Sequence, residues 1–169
     1  MNKDGRVWTD YEKNIIRFLF LGEILMSYRA MDIASYVVTK CINDRKPISN
    51  LQLQKILYRL QIVYNIKKNK ILIEDDFEAW QFGPVIPIVY YRFCSNGANP
   101  ITFFWPNTEF ELKEEIKEII DPVIIEKRKV KPWKLVDETH KKGGAWDIVY
   151  NNGLGNREII EKSLIFSKG

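Results

Sequence analysis

Residues 49–64 read SNLQLQKILYRLQIVY, and this stretch predicts the most clearly defined helix of the chain. Ser49 and Gln52 form a capping box, in which the serine hydroxyl accepts a hydrogen bond from an unpaired backbone N–H and the glutamine bonds back to the cap. The helix is expected to end before Lys67. Its apolar stripe consists of Leu53, Ile56, Leu57, Leu60, Val63 and Tyr64, and the residues expected on its other faces are Gln52, Gln54, Lys55, Tyr58, Arg59 and Gln61.

Patterns on both sides of this stretch predict a mainly α-helical, compact domain with a small β-hairpin or short extended segments. Before it, a helix is expected from Met31 to about Asn43. After it, residues 71–73, 77–82 and 101–105 are β-prone. Further helices are expected to begin at Pro84, Thr108, Pro132 and Ala145 and after Asn156. The helix from Thr108 should kink or restart near Pro122. The last helix is expected to carry Ile159, Ile160 and Leu164.

The composition is that of one globular domain that folds unaided. The chain has 169 residues and a mass of 20.0 kDa, with 46% hydrophobic residues and a formal net charge of +4. Its charges alternate in blocks, which is typical of solvated faces and also suits a protein partner of opposite pattern. The apolar run 15–21 is too short to cross a membrane, and Cys41 and Cys94 form no metal or redox motif. A reduced, cytoplasmic protein is expected.

Residues 1–30 differ from the rest, because their apolar residues form one run without the spacing of a long amphipathic helix. One interpretation is a leader that is not translated in the cell. Met26 and Met31 are alternative starts, and Gly22-Glu23 can be encoded by a purine-rich ribosome-binding sequence. The other interpretation is an extra helix over residues 10–26.

The sequence offers little chemistry for catalysis. His140 is the single histidine and has no obvious partner, so it is interpreted as a cap or a core hydrogen-bonding group. Asp75, Asp76 and Glu78 lack the spacing of a calcium-binding loop. The glycine pairs of the chain follow no strand and lack the lysine of a phosphate-binding loop. We therefore expect no enzyme, no metal and no cofactor.

The segment FEAWQFGPVIP, residues 77–87, predicts a binding surface. Trp80 and Phe82 are two positions apart, so they share one face of an extended chain. Gly83 and Pro84 then end the segment. Large apolar side chains with few polar groups are what protein partners use to gain affinity. The alternative, that both rings lie in the core, stays open at this stage.

These residues carry a resemblance to a known family. The string ISNLQLQKILY at 48–58, the segment at 77–87 with Val89 and Tyr90, and Leu135 to His140 followed by Trp146 resemble the Panacea domain family in order and spacing. That family contains SocA-like antitoxins and phage-associated GepA-type proteins. The resemblance places the domain at residues 31–169. It implies an antitoxin that neutralises the toxin of an adjacent gene by direct binding. It also implies that this antitoxin acts as an adaptor, which delivers the toxin to a ClpXP-type protease.

The surface expected to contact the toxin is drawn from aromatic anchors and a polar rim. Trp80, Phe82 and Pro84 are the anchors, and Trp133, Tyr58 and Trp146 form a second group. Gln54, Lys55 and Arg59 are rim candidates. Trp133 and Trp146 have a structural alternative, in which their rings pack on the core.

A DNA-binding autoregulator is the alternative function. The turn at 45–47 joins two helices, and phosphate contacts could come from Lys40, Arg45, Lys46, Lys55 and Arg59. The second helix is too apolar on one face for a free recognition helix. Nucleic acid is therefore the less favoured partner.

Overall fold

The computed structural model describes residues 27–104 and 110–169. Within them the chain is mainly helical with one small antiparallel sheet, which confirms the expected fold class. The elements are α1 (Ala30–Asn43), α2 (Asn50–Lys68), β1 (Phe77–Trp80), β2 (Gly83–Val85), α3 (Pro87–Phe93), α4 (Glu114–Lys127), α5 (Pro132–Thr139), α6 (Ala145–Tyr150), β3 (Ile159–Ile160) and α7 (Lys162–Lys168). Short 3₁₀ turns follow α3 at Cys94–Asn96 and α6 at Asn151–Gly153.

Helix α2 is the centre of the domain, and its capping box forms as the sequence predicts. The Ser49 hydroxyl accepts from the Gln52 N–H at 3.3 Å, and the Gln52 Oε1 accepts from the Ser49 N–H at 3.0 Å. The apolar stripe from Leu53 to Leu60 is fully buried. Helices α1, α3, α4, α5 and α7 and strand β2 all contact α2.

Most of the residues expected on the other faces of α2 are buried, so the rim positions predicted for two of them, Gln54 and Lys55, are wrong. Gln54, Lys55, Tyr58 and Gln61 are each at most 4% exposed, because neighbouring elements cover the helix on nearly every side. Gln61 accepts the Ile73 N–H at 2.7 Å inside the protein. Buried polar groups need such partners, so the polar side chains of α2 act as internal hydrogen-bonding groups.

The hairpin expected near Trp80 is confirmed, and a third strand joins it. The strand order is β2-β1-β3, with Trp80 opposite Gly83 and Glu78 opposite Ile159. Ile159 and Ile160 were expected in the last helix. That expectation is wrong because these β-branched residues pair with the otherwise open edge of β1, and the helix begins only at Lys162.

Two other helix starts differ from the sequence expectation. Pro84 lies in β2 rather than in a helix, since Gly83–Val85 pair with β1 and α3 begins at Pro87. The acidic helix begins at Glu114, beyond the expected cap, whose Thr108 lies outside the described residues. The helix continues through Pro122 without a restart.

Tyr28 and the first residue of α1 are joined to the rest of the domain by hydrogen bonds. Tyr28 donates its N–H to the Leu72 carbonyl at 2.7 Å and accepts from the Glu74 N–H at 2.9 Å. The Ala30 N–H at the start of α1 donates to the Asp75 carboxylate at 2.6 Å. The two interpretations of the N-terminal segment concern residues 1–30, of which residues 1–26 lie outside the described part of the chain, and both stay predictions.

Candidate functional site

The β1–β2 hairpin presents Phe82 at its tip. Only Gln81 and Phe82 connect the strands, and Gly83 follows with a φ of +98°, which favours glycine. A Cβ at Gly83 would lie 2.5 Å from the Thr139 Oγ1 and 2.7 Å from the Lys55 Nζ. The glycine therefore lets the hairpin approach α2 and α5 closely, and it leaves the Phe82 ring 47% exposed.

Phe82 meets Trp133 of α5 at the edge of an apolar groove. Their ring centroids are 5.3 Å apart at an interplanar angle of 86°, and Trp133 is 60% exposed. The groove has a volume of about 480 Å³. We call it the aromatic groove, and its main lining residues are Asn50, Trp80, Phe82, Tyr90, Trp133 and Arg157.

Trp80 is half-buried in this groove and is held on several sides. Its ring lies 4.9 Å from that of Tyr90 and 6.2 Å from that of Tyr91. Its indole N–H donates to the Glu78 Oε2 at 2.7 Å, and the Arg157 guanidinium lies 4.8 Å above the ring. Such rigid aromatic anchors lose little side-chain entropy when a partner binds.

A buried chain of amide groups supports the groove from below. Gln54 accepts the Ile86 N–H at 2.9 Å and donates to the Asn50 Oδ1 at 3.2 Å. Asn50 in turn donates to the Tyr90 carbonyl at 3.0 Å. Gln54 is therefore not a rim residue, because its side chain is used to fix the backbone around the hairpin and α3.

Lys55 is likewise an internal residue rather than a rim contact. Its ammonium group donates to the Pro84 carbonyl at 2.9 Å, and only 2% of the residue is exposed. No carboxylate in the described ranges lies within ion-pair distance of it. Burial lowers the pKa of Lys55 from 10.5 to about 7. Pro84 is buried as well, so this anchor candidate holds the hairpin from inside.

Trp146 and Tyr58 also lie in the interior, as the structural alternative for Trp146 anticipated. Trp146 is 6% exposed and donates its indole N–H to the Trp80 carbonyl at 2.8 Å. It stacks between His140, at 3.7 Å, and Tyr150, at 4.6 Å. Tyr58 meets Phe77 edge-on at 5.3 Å, and burial raises its pKa to about 12.

His140 lies half-buried directly after the last residue of α5. Burial and, second, the charge of Lys55 lower its pKa. Its Nε2 is buried without a hydrogen-bond partner among the residues that the structure places. The imidazole instead packs flat against the Trp146 ring, with the centroids 3.7 Å apart.

The acidic residues considered for a cation are used in other contacts. Asp75 caps α1, Asp76 pairs with Lys162 at 2.6 Å, and Glu78 accepts from Trp80. Over residues 27–104 and 110–169, no group of three potential ligands could hold a metal ion. In the same ranges, every helix is too short or too polar to cross a membrane.

Two of the five expected DNA contacts are paired or buried, while Arg45, Lys46 and Arg59 are exposed. Lys40 pairs with Asp44 at 3.6 Å and with Asp121 at 3.3 Å, and Lys55 is buried. Helix α2 is covered by its neighbours and cannot enter a DNA groove in this fold. Arg59 is exposed, but it lines a separate pocket of about 70 Å³ rather than the aromatic groove.

The structure thus brings four of the nine expected contact residues to the aromatic groove: Trp80, Phe82 and Trp133 at its surface, and the buried Gln54 at its base. Sequence reasoning missed Tyr90 and Arg157 of the same groove. Tyr90 was named as part of the pattern that carries the family resemblance, and not as a contact residue. Arg157 reaches Trp80 because β3 pairs with β1, and the chain segment before β3 gives no sequence signal of that pairing.

Comparisons with known proteins agree on one family. Residues 53–147 match the family described as antitoxin SocA-like, Panacea domain. The chain is also 31% identical over 160 residues to antitoxin SocA of Caulobacter vibrioides, an alignment that covers 84% of this chain and 85% of the relative. No solved structure matches the chain.

Proposed function

The chain belongs to the family of SocA-like antitoxins with a Panacea domain, and we propose that it neutralises a toxin by binding it through the aromatic groove. Family membership supports the antitoxin role and indicates a non-enzymatic protein. The toxin would be the product of an adjacent gene, met in the cytoplasm. The observation that carries the choice of surface is the exposed pair of Phe82 and Trp133 beside the half-buried Trp80.

The groove has the properties that tight protein binding needs. Its rings are anchored by hydrogen bonds and ring contacts before any partner arrives, so little order has to be gained on binding. Most of the exposed lining of the groove is apolar. A segment of the toxin that fills the groove would cover the faces of these rings and exclude water from them.

Removal of the exposed rings should abolish neutralisation and leave the fold intact. Phe82→Ala and Trp133→Ala should each weaken toxin binding by about 2 kcal/mol, because central aromatic contacts dominate interface energies. The measurement is growth of cells that co-express the adjacent gene, together with the affinity of the purified proteins. Thermal unfolding should change little, since both side chains are largely exposed.

Ile66→Ala is the matched control for this experiment. Ile66 is 73% exposed on α2, and it lies sixteen residues along the helix from Asn50 of the groove, a distance of about 24 Å. The control should rescue growth as well as the native chain does. Full rescue by both Phe82→Ala and Trp133→Ala would reject the aromatic groove as the binding surface.

Delivery of the bound toxin to a ClpXP-type protease is the finer part of the proposal, and family membership is what supports it. The expected result is a toxin half-life that shortens when this chain is present and lengthens again when the ClpX subunit is depleted. Pulse-chase labelling of the toxin measures it. An unchanged half-life with intact growth rescue would mean that this antitoxin acts by binding alone.

A further inference from the structure

Arg157 is the one charged side chain that lines the aromatic groove within the described ranges. Its guanidinium lies over Trp80, 4.8 Å from the ring centroid. No carboxylate of residues 27–104 or 110–169 forms an ion pair with it. Lys131 and Lys134, which flank the exposed Trp133 in sequence, are exposed too. The groove therefore combines apolar walls with a positive charge that forms no ion pair within the described residues, although the Glu78 carboxylate is bonded to the indole N–H of the same Trp80.

The backbone holds Arg157 at this position. Its φ is +71°, a backbone conformation that residues other than glycine adopt at a cost of about 1 kcal/mol or more. The Arg157 N–H donates to the Ala79 carbonyl at 2.8 Å, and the neighbouring Glu158 carbonyl accepts from the Ala79 N–H at 2.8 Å. These two bonds tie Arg157 to β1, directly before Trp80. The backbone of Arg157 is thus fixed by β1, and from this position the guanidinium reaches the Trp80 ring.

We propose that the aromatic groove accepts a segment of the toxin that carries large apolar side chains and one carboxylate, and that this carboxylate pairs with Arg157. The inference rests on the proposed function and adds the chemistry of the partner. Once apolar walls exclude water, a guanidinium without a counter-charge is costly, while a bidentate carboxylate satisfies it. A basic or purely apolar segment would leave Arg157 uncompensated.

The test uses the purified native chain and the product of the adjacent gene. Arg157→Gln should lower the affinity at least about 30-fold, which is about 2 kcal/mol, and Arg157→Glu should lower it further. The affinity of the native chain should fall with added salt more steeply than that of Arg157→Gln. Lys67→Gln is the control, because Lys67 is exposed near the far end of α2. Thermal unfolding of each variant verifies the fold.

A charge-reversal selection identifies the partner group. Cells that carry Arg157→Glu and lose rescue are used to select toxin variants that remain toxic alone and are neutralised again. The expected substitutions replace an Asp or Glu, within an apolar segment, by Lys or Arg. Restoring substitutions only at non-acidic positions would overturn the inference.

The outcomes separate this inference from the proposed function. Absence of binding between the native chain and the adjacent gene product contradicts the proposed function itself. Native binding that is unchanged in Arg157→Gln and Arg157→Glu contradicts only the carboxylate. A concentration-dependent dimer of this chain that Arg157→Gln dissociates would show that a second copy occupies the groove, and it would overturn the inference as well.

Discussion

The free energy of unfolding should rise by about 2 kcal/mol between pH 7 and pH 9 because of Lys55. The pKa of this buried ammonium is about 7 in the folded protein, whereas an ordinary solvent-exposed lysine, as in the unfolded chain, has a pKa of 10.5. The unfolded chain therefore binds more protons than the folded chain throughout this interval. Each proton released from the folded state removes an unpaired charge from the interior, so folding becomes more favourable as pH increases.

Lys55→Met should remove this dependence. The thioether fills a similar volume without a charge, so the variant should be most stable relative to the native chain at pH 7 and should lose that advantage towards pH 9. Urea unfolding at several pH values measures both curves. Lys67→Met, an exposed lysine of the same helix, should leave the curve unchanged.

The difference between two variants is the quantity to compare, because other groups also titrate. Burial raises the pKa of the Cys41 thiol, and that group lowers stability as pH approaches 9. Tyr58, with its pKa near 12, adds to this effect only at higher pH. Both contributions cancel when the unfolding free energy of the native chain is subtracted from that of Lys55→Met at each pH. Parallel curves for these two proteins would contradict the assigned state of Lys55.

The helices of this fold could largely be predicted from sequence, because local signals specify them. The capping box of α2, the apolar spacing of α1 and the proline that begins α5 all act within a few residues, whereas α3 begins at Pro87, three residues after its predicted start. What such signals do not report is the number of neighbours around a helix. Lys55 therefore looked like a solvent-facing residue, although β2 and α5 cover it.

One signal for the burial of α2 was nevertheless present. Apolar or aromatic side chains occupy three consecutive positions at 56–58 and again at 62–64, so they surround the helix instead of marking one stripe. A helix that is apolar on all sides is typically enclosed by the rest of the domain. Gln61, which lies between the two runs, is accordingly an internal hydrogen-bonding group, whereas Arg59 between them is exposed.

The site could be predicted only in part, because a distant strand completes it. The two-residue spacing of Trp80 and Phe82 identified the hairpin from local sequence alone. Trp133 joins Phe82 through the packing of α5, and Arg157 joins Trp80 through the pairing of β3 with β1. These contacts span more than fifty residues, and no local pattern predicts them.

Replacement by alanine should change the free energy of unfolding much more at Trp146 than at Trp133. Trp146→Ala should lower the free energy of unfolding by about 3–5 kcal/mol, because it removes a buried ring from between His140 and Tyr150. It also leaves the Trp80 carbonyl without its indole donor. Trp133→Ala removes a ring that is 60% exposed, so stability should change by less than about 1 kcal/mol.

The affinity for the toxin, in contrast, should depend more on Trp133 than on Trp146. Below its lowered unfolding temperature, Trp146→Ala should retain part of its affinity for the toxin, since the ring lies behind the hairpin and not in the groove. Trp146→Phe refines the comparison: it keeps most of the apolar area, loses the hydrogen bond to Trp80, and should cost about 1 kcal/mol of stability. Chemical unfolding and calorimetric titration on the three variants measure both effects. Equal losses of stability for Trp133→Ala and Trp146→Ala would contradict the division between a supporting ring and a contact ring, on which the choice of binding surface depends.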